Sequence, residues 1–238
     1  MTYKDLKVVL YADGADIEAM KREYEKGIVK GFTTNPTLMK KAGVKDYRSF
    51  AKAAVEAIPD LPISFEVFSD DFSVMAEEAR VLAALGRNVY VKIPVTDTKG
   101  EPSTALIRQL SAEGLQLNVT ALFTIEQTKE VVDAFAPGTS NIVSLFAGRI
   151  TNAGIDAEPI MKEAAAICHT KPGTMSLWAS SRELFNIIQA DRDGVDIITV
   201  TNNLLAGITS FGKDLNEFSL ETVNMFYNDG QALGFRIL

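Results

Sequence analysis

The sequence has 238 residues, of which 47% are hydrophobic and 23% are charged, a composition typical of a folded globular protein rather than a disordered one. The formal net charge is −7 and there is no basic run, which argues against nucleic acid or an anionic membrane surface as the main partner. The single cysteine, Cys168, excludes an intrachain disulfide and a metal site held by several cysteines.

The first residues, MTYKDLKVVLYAD, do not show the basic region, long apolar region and small-residue cleavage site of a signal peptide. No apolar run reaches the roughly 18 residues that a membrane span requires. We therefore expect a cytoplasmic protein that has neither a membrane nor a nucleic acid as its partner.

Apolar runs of β type recur along the chain and predict eight strands. These runs lie at residues 7–13, 27–33, 63–69, 88–95, 115–123, 141–147, 174–180 and 195–201. Between them, apolar residues spaced by three and four positions predict amphipathic helices. The helices are expected at residues 15–27, 46–58, 71–86, 103–114, 124–136 and 156–170, with a last helix and tail at about 215–238. The segments DDFS and PSTA offer capping residues at two helix starts.

The alternation of strand and helix implies parallel strands that are joined by right-handed crossovers. Eight such units in a chain of 238 residues predict a single (β/α)8 TIM barrel of the α/β class, with residues 1–238 forming one domain. An open doubly wound sheet is the alternative. Neither G-x-G-x-x-G nor G-x-x-x-x-G-K-[ST] occurs in the sequence, which counts against the nucleotide-binding versions of that fold.

Polar residues occur at the carboxyl ends of nearly all the predicted strands. They include Asp13, Thr33, Thr34, Asn35, Glu66, Lys92, Asn118, Thr120, Ser144, Arg149, Ser180, Ser181, Arg182, Thr199 and Thr201. One polar residue in a strand is usually a satisfied core group. A polar residue at the same end of so many strands indicates a shared polar cavity, and the carboxyl end of a barrel is where active sites lie.

Lys92 stands in the middle of the apolar stretch VYVKIPVT, residues 89–96. Taken alone, such a lysine is best read as an edge residue that extends its amine to solvent. Among the other polar strand ends, we expect it inside the barrel mouth, where burial and nearby cations lower the pKa of an amine. A free amine attacks a carbonyl to form a Schiff base, which permits cleavage of a carbon–carbon bond without a metal or another cofactor.

The same chemistry needs groups that move protons, and Asp13 and Glu66 are carboxylates on early strands. One of them can take the proton of the substrate hydroxyl, while the other works through a water together with Thr120. For either carboxylate alone, a salt bridge to Lys92 is nearly as good an explanation.

Arg149, Ser180 and Arg182 follow the sixth and seventh strands, and barrels often hold a phosphate near this part of their rim. The alternative is that both arginines are surface charges near helix starts. Helix N-termini favour anions over cations, so arginine at these places weakly favours a bound anion.

The segments GFTTNPTLMKKAG (31–43) and VYVKIPVT (89–96) resemble the two signatures of the transaldolase family. The segments LNVTALF (117–123), SLFAGRI (144–150) and LWASSRE (177–183) are similar to further family segments, and together these matches span essentially the whole chain. The chain length resembles that of the compact subfamily, which also contains the fructose-6-phosphate aldolases. The resemblance implies a (β/α)8 barrel that assembles into pentamers or decamers through its C-terminal helix.

The resemblance also implies roles for the residues named above. Lys92 would be the Schiff-base nucleophile, Asp13 the acid/base group, and Glu66 and Thr120 the pair that holds the catalytic water. The implied contacts of the dihydroxyacetone unit are Thr34, Asn35, Asn118, Ser144 and Phe146, and those of the sugar phosphate are Arg149, Ser180 and Arg182. No metal and no cofactor is implied.

Two positions bear on the choice within the subfamily, because its aldolases tend to carry glutamine in place of Glu66 and tyrosine in place of Phe146. We therefore predict a transaldolase, which moves a dihydroxyacetone unit from a ketose phosphate to an aldose phosphate. The alternatives are a fructose-6-phosphate aldolase that releases free dihydroxyacetone, and a barrel that binds sugar phosphates without catalysis.

Overall fold

A computed structural model of the chain describes residues 2–237, so residues 1 and 238, the ends of the predicted 1–238 domain, lie outside it. Eight strands pair in parallel and in chain order, and the last strand closes on the first. The strands are β1 (Val9–Asp13), β2 (Phe32–Thr33), β3 (Ile63–Glu66), β4 (Val89–Pro94), β5 (Leu117–Leu122), β6 (Asn141–Leu145), β7 (Thr174–Trp178) and β8 (Ile197–Thr201). The predicted (β/α)8 barrel is confirmed, and the open sheet is wrong.

Helices follow every strand and cover the outside of the barrel. They are α1 (Ile17–Lys26), α2 (Pro36–Ala42), α3 (Tyr47–Ala57), α4 (Phe72–Ala83), α5 (Thr104–Ala112), α6 (Ile125–Ala134), α7 (Ala147–Asn152), α8 (Glu158–His169), α9 (Phe185–Arg192), α10 (Asn202–Leu205) and α11 (Leu215–Leu233). All the predicted helices are present. The helices that were not predicted, α2, α7, α9 and α10, have at most eight residues, too few for a clear three-to-four-residue period.

One of the two capping predictions is confirmed and the other is wrong. Asp71 begins α4, and its carboxylate accepts hydrogen bonds from the backbone amides of Ser73 and Val74. Ser103 precedes α5 but does not cap it, because its hydroxyl instead donates to the carbonyl of Pro94 at 2.6 Å. This bond ties the start of α5 to the end of the lysine strand.

The floor of the barrel is apolar and lies below the predicted polar cavity. It is formed inside the ring of strands by Tyr11, Tyr90, Ile142 and Ile197, and the cluster continues to Leu177 and Ala179, which line the cavity. Gly31 makes this packing possible, because a β-carbon at that position would lie 2.4 Å from Cζ of Tyr11. The ring of Tyr11 thus fills the space that a side chain at position 31 would need, which seals the barrel beneath the site.

The C-terminal helix, α11, is exposed along nearly its whole length, and within residues 2–237 none of its side chains is buried. Its exposed apolar side chains are Leu215, Phe218, Leu220, Val223, Met225, Phe226, Tyr227 and Leu233. Across residues 2–237, no helix combines the length and the apolar character that crossing a bilayer would require.

Candidate active site

A cavity of about 450 Å³ opens at the carboxyl ends of the strands. It is lined by most of the predicted site residues, namely Asp13, Asn35, Glu66, Lys92, Thr120, Ser144, Phe146, Arg149 and Ser180. The other predicted residues, Thr34, Asn118 and Arg182, lie close by but do not line it. The strand ends are therefore brought together as the sequence predicted, although not every polar side chain faces the same space.

Lys92 lies deep in this cavity and is only 5% exposed. Its register partners on the neighbouring strands are Glu66 on β3 and Asn118 on β5. The Lys92 Nζ lies 3.2 Å from Oε2 of Glu66 and donates a hydrogen bond of 3.1 Å to the carbonyl of Thr34. The amine is thus held inside the barrel by a carboxylate and a main-chain oxygen, and it does not extend to solvent.

Asp13 is the second carboxylate of the cavity and is half-buried at the end of β1. The Thr33 hydroxyl donates to Asp13 Oδ1 at 2.8 Å and lies 2.5 Å from the hydroxyl of Thr199. Burial raises the pKa of Asp13 above its ordinary value, and the charge of Lys92 and the Thr33 hydrogen bond partly oppose this rise. A carboxyl with a raised pKa holds a proton more tightly than an exposed aspartate does, which suits a group that takes up a proton and gives it back.

An irregularity in β5 places Ala121 on the cavity side, next to Thr120. The pairing of β5 with β6 shifts between Val119 and Leu122, so that two residues of β5 lie opposite the single residue Ser144. Ala121, the extra residue, has a φ of 64°, in the left-handed region that residues other than glycine seldom adopt. As a result, Thr120 and Ala121 both line the cavity, while Leu122 still packs into the core behind the strand.

The Thr120 hydroxyl is buried and has no hydrogen-bond partner among residues 2–237. Buried hydroxyls in native proteins are almost always bonded, and Thr120 is one of the residues that line the cavity. Glu66 and Lys92 line the same cavity.

Asn118 acts behind the cavity wall, where it is fully buried. Its side-chain Nδ2 donates to the Ser64 hydroxyl at 3.0 Å, and its Oδ1 accepts from the Ser144 hydroxyl at 2.7 Å. Thr34 is equally buried, and its hydroxyl donates to the carbonyl of Ser64 at 2.9 Å. Of these side chains, Ser144 is the one that lines the cavity.

Asn35 lines the cavity and also begins α2. Its side-chain Oδ1 accepts a hydrogen bond of 3.0 Å from the backbone amide of Leu38, as expected for a residue that caps a helix. The cap fixes the amide group in one orientation. Its Nδ2 is thereby available as a donor toward the cavity, since the described residues offer it no partner.

The side of the cavity formed by β6 and β7 carries the positive charge. Arg149, in α7, lines the cavity, and its guanidinium lies 5.4 Å from the ring centroid of Phe146. Phe146 in turn packs against Phe123, with ring centroids 5.9 Å apart. Ser180 lines the same wall with a left-handed φ of 65°. Arg182 is exposed beside this wall, and its Nε donates to the carbonyl of Gly148 at 3.2 Å.

A family model described as Transaldolase/Fructose-6-phosphate aldolase matches residues 10–237. The chain belongs to this family. The recognition made from the sequence signatures is therefore confirmed, and the cavity residues described above lie within the matched range.

Curated members of the transaldolase/fructose-6-phosphate aldolase family are similar to the chain over most of its length. A "Probable transaldolase" of Caldicellulosiruptor saccharolyticus is 37% identical over 202 residues, which are 84% of this chain and 88% of that protein. A "Probable transaldolase" of Dehalococcoides mccartyi is 34% identical over 82% of this chain and 88% of its own. A "Probable transaldolase 2" of Listeria monocytogenes is 33% identical over 90% of this chain and 99% of its own.

Thr33 and Thr199 were predicted among the polar strand ends but were given no role. The Thr33 hydroxyl donates to Asp13 and lies within hydrogen-bond distance of the Thr199 hydroxyl. Ser64, which accepts a hydrogen bond from Asn118, was not predicted. The two-residue period of β3 would have selected it, since it lies two residues before Glu66. Phe123 lines the cavity directly after β5, and only the irregularity at Ala121 explains why it does so.

Proposed function

We propose that this protein is a transaldolase that acts through a Schiff base on Lys92. The observation that carries the proposal is the Lys92 amine, which is held deep in the polar cavity 3.2 Å from Glu66 and close enough to Asp13 for its charge to oppose part of the rise that burial causes in the pKa of that carboxyl. A buried amine between two carboxylates has the nucleophile and the proton acceptors that this reaction needs.

The reaction begins when Nζ of Lys92 attacks the keto carbon of a ketose phosphate, such as fructose 6-phosphate or sedoheptulose 7-phosphate. The nitrogen loses its proton, the carbonyl oxygen leaves as water, and the protonated imine remains. Asp13 then takes the proton of the hydroxyl beyond the bond to be cleaved. The carbon–carbon bond breaks, its electron pair moves into the imine to form an enamine, and an aldose phosphate leaves.

The enamine, a bound dihydroxyacetone unit, next attacks the aldehyde carbon of an acceptor such as erythrose 4-phosphate or glyceraldehyde 3-phosphate. Asp13 returns its proton to the new hydroxyl, and water hydrolyses the imine to free Lys92. Glu66 and the buried Thr120 hydroxyl hold the water of the imine-forming and imine-breaking steps. The unbonded Thr120 hydroxyl supports this role.

The dihydroxyacetone unit contacts the Asn35 amide and the Ser144 hydroxyl. Asn118 orients Ser144 through their 2.7 Å hydrogen bond, and Thr34 holds Lys92 through its carbonyl. The phosphate lies against Arg149, Ser180 and Arg182, since guanidinium groups bind phosphate with two parallel hydrogen bonds. The volume of about 450 Å³ falls within the range of small-molecule sites and accommodates a sugar phosphate.

Transfer, rather than release of free dihydroxyacetone, is favoured by Glu66 and Phe146. A tyrosine at position 146 would place a hydroxyl at the cavity wall, where it could protonate the enamine and release the three-carbon unit. Phe146 has no such group, so the enamine persists until an aldehyde arrives. The relatives described above are named probable transaldolases, which supports the same choice.

The wild-type protein is expected to consume fructose 6-phosphate slowly when no acceptor is present and fast when erythrose 4-phosphate is added.

The double variant Glu66→Gln with Phe146→Tyr should raise the share of free dihydroxyacetone among the products. Product analysis with and without acceptor measures this share. The single variant Phe123→Tyr is the control, because it adds a hydroxyl elsewhere on the same wall. Fast turnover without acceptor in the wild type would identify an aldolase, and an unchanged share in the double variant would refute the role of these two residues.

We also infer that α11 holds copies of this chain together. A helix that buries none of its side chains on its own chain is stabilised by packing on a partner, and its apolar residues provide that contact. A second copy is the simplest partner, since most soluble oligomers are homo-oligomers. A pentamer or decamer is the assembly that the family resemblance implies.

The double variant Val223→Ser with Phe226→Ser is expected to dissociate the oligomer, because it removes two large exposed apolar side chains from α11. Light scattering during size-exclusion chromatography gives the mass of the particle directly. The variant Asn224→Ser on the same helix, where the side chain is polar and exposed, should keep the wild-type mass. A wild-type protein that is monomeric at all concentrations would contradict the inference.

A further inference from the structure

Gly148 lies in α7, the short helix that begins the loop between β6 and α8. At Gly148 this loop meets the loop that follows β7. A β-carbon on Gly148 would be 1.7 Å from the Ser180 carbonyl oxygen and 2.8 Å from the Ser180 carbonyl carbon. Atoms cannot approach so closely, and the obstacle is backbone, which cannot rotate aside as a flexible side chain can. Any residue larger than glycine would therefore separate the two loops.

Position 148 requires glycine because there is no space for a β-carbon, and not because the backbone adopts an unusual conformation. Gly148 lies in α7 and is not among the glycines with a positive φ. The unusual conformation belongs to Ser180, whose φ of 65° is costly for a residue with a side chain and must be upheld by its surroundings. The contact with Gly148 is part of those surroundings.

The same junction holds the Arg182 guanidinium. Arg182 Nε donates to the Gly148 carbonyl at 3.2 Å. In the amide orientation that satisfies its neighbours, the Asn152 side chain donates to that carbonyl at 3.1 Å and accepts from Arg182 Nη2 at 3.0 Å. Two of the five N–H groups of Arg182 are thus bonded within the protein, and since no other acceptor for them is found among residues 2–237, the rest are available to an anion.

We propose that Gly148 and Asn152 are positioning residues for phosphate recognition. Gly148 lets the two loops touch, so that Arg149 on one loop and Ser180 on the other face one subsite. Asn152 keeps the Arg182 guanidinium at the edge of that subsite. The inference rests on the proposed function, and it adds residues that touch neither the sugar nor Lys92.

Asn152→Ala is the decisive variant, because Asn152 is exposed and its removal leaves no cavity in the core. We expect the KM for fructose 6-phosphate to rise about tenfold, as for the loss of a hydrogen bond to a charged group, while kcat stays unchanged. The concentration of inorganic phosphate needed for inhibition should rise by the same factor. Borohydride trapping of dihydroxyacetone, which has no phosphate, should show the wild-type half-saturation.

Thr151→Ala is the matched control. The Thr151 hydroxyl also donates to the Gly148 carbonyl, at 3.1 Å, but it is not bonded to Arg182. If loss of Asn152 acted merely by loosening α7, Thr151→Ala would have the same effect; we expect it to leave both KM and phosphate inhibition as in the wild type. Gly148→Ala should raise the KM for fructose 6-phosphate further than Asn152→Ala, and if Gly148→Ala fails to fold, Asn152→Ala still decides the question.

The inference is overturned if Asn152→Ala leaves the KM and phosphate inhibition unchanged, or if it weakens dihydroxyacetone and fructose 6-phosphate equally. Failure of the proposed function has a different signature. In that case the wild type forms no reducible adduct with either sugar, whereas binding of inorganic phosphate to the wild type and to Asn152→Ala can still be compared by thermal shift.

Discussion

Lys92→Ala is expected to lower kcat by about 10⁴-fold or more, because it removes the nucleophile and with it the covalent intermediate. The fold should remain, since Lys92 lies in a polar cavity and Glu66, its partner, can then be solvated from the cavity. Turnover of fructose 6-phosphate with erythrose 4-phosphate measures the loss, and circular dichroism with thermal unfolding checks the fold.

Borohydride trapping makes the same variant a test of the reaction class. Wild-type protein incubated with fructose 6-phosphate and borohydride should gain the mass of one reduced sugar adduct, and peptide mapping should place it on Lys92. Lys99→Ala, which removes an exposed lysine from the loop after the same strand, should trap as the wild type does. A barrel that merely binds sugar phosphates would show no irreversible gain, and a gain that survives Lys92→Ala would assign the chemistry to another residue.

Asp13→Asn is expected to lower kcat by about 10²–10⁴-fold, the usual contribution of a group that transfers a proton in the transition state. Asparagine has nearly the shape of aspartate and keeps an acceptor for the Thr33 hydroxyl, so the cavity should be preserved. Schiff-base trapping should therefore be affected much less than turnover. Steady-state kinetics and borohydride trapping on the same preparation separate the two effects.

The pH dependence of stability provides an independent check on Asp13. Burial raises its folded-state pKa above the ordinary value of 3.8, so the folded protein binds this proton more tightly than the unfolded chain does. The ionised carboxylate therefore destabilises the wild type, and this cost grows as the pH rises from about 3.8 through the folded-state pKa. Asp13→Asn lacks the cost, so its free energy of unfolding should exceed that of the wild type at neutral pH and approach it in acid.

Asp16→Asn is the matched control for this comparison. Asp16 begins α1 and accepts a hydrogen bond from the Ala19 amide, a capping role that asparagine fills about as well. Because its side chain is exposed and lies outside the cavity, Asp16→Asn should leave kcat and the free energy of unfolding at neutral pH as in the wild type. Equal stability of Asp13→Asn and wild type at every pH would show that Asp13 carries no cost of burial, and full activity would exclude it from proton transfer.

Much of the barrel follows from local pattern. The strands β1 to β8 come from short apolar runs, and the longer helices between them have one apolar face. The alternation of strand and helix can therefore be predicted from the sequence without any tertiary contact. The two-residue period of strands also places Glu66 and Lys92 side by side once their strands are neighbours. The short helices α2, α7, α9 and α10 were not predicted, because one or two turns contain too few residues to show the helical period of apolar residues.

The chemical character of the site could also be anticipated, because polar residues at the ends of parallel strands must meet in one place. The sequence could not show which of these polar side chains line the cavity and which are hydrogen-bonded behind its wall. Asn118 and Thr34 are hydrogen-bonded behind the wall, whereas Ser144 faces the cavity, and this depends on contacts between residues far apart in the chain. The irregularity at Ala121, which brings Ala121 and Phe123 to the cavity, has no local signal, since alanine is an unusual choice for a positive φ.

The order of residues along the chain is thus enough to specify an eight-unit barrel, a lysine inside it, and membership of the transaldolase/fructose-6-phosphate aldolase family. These features depend on periodicity and on which residue types lie at strand ends, and both are properties of short segments. Closure of the barrel adds the distances: the 3.2 Å between Lys92 and Glu66, the contact between Gly148 and Ser180, and a C-terminal helix with no partner on its own chain. Such distances are set by packing between segments that meet only when the chain has folded.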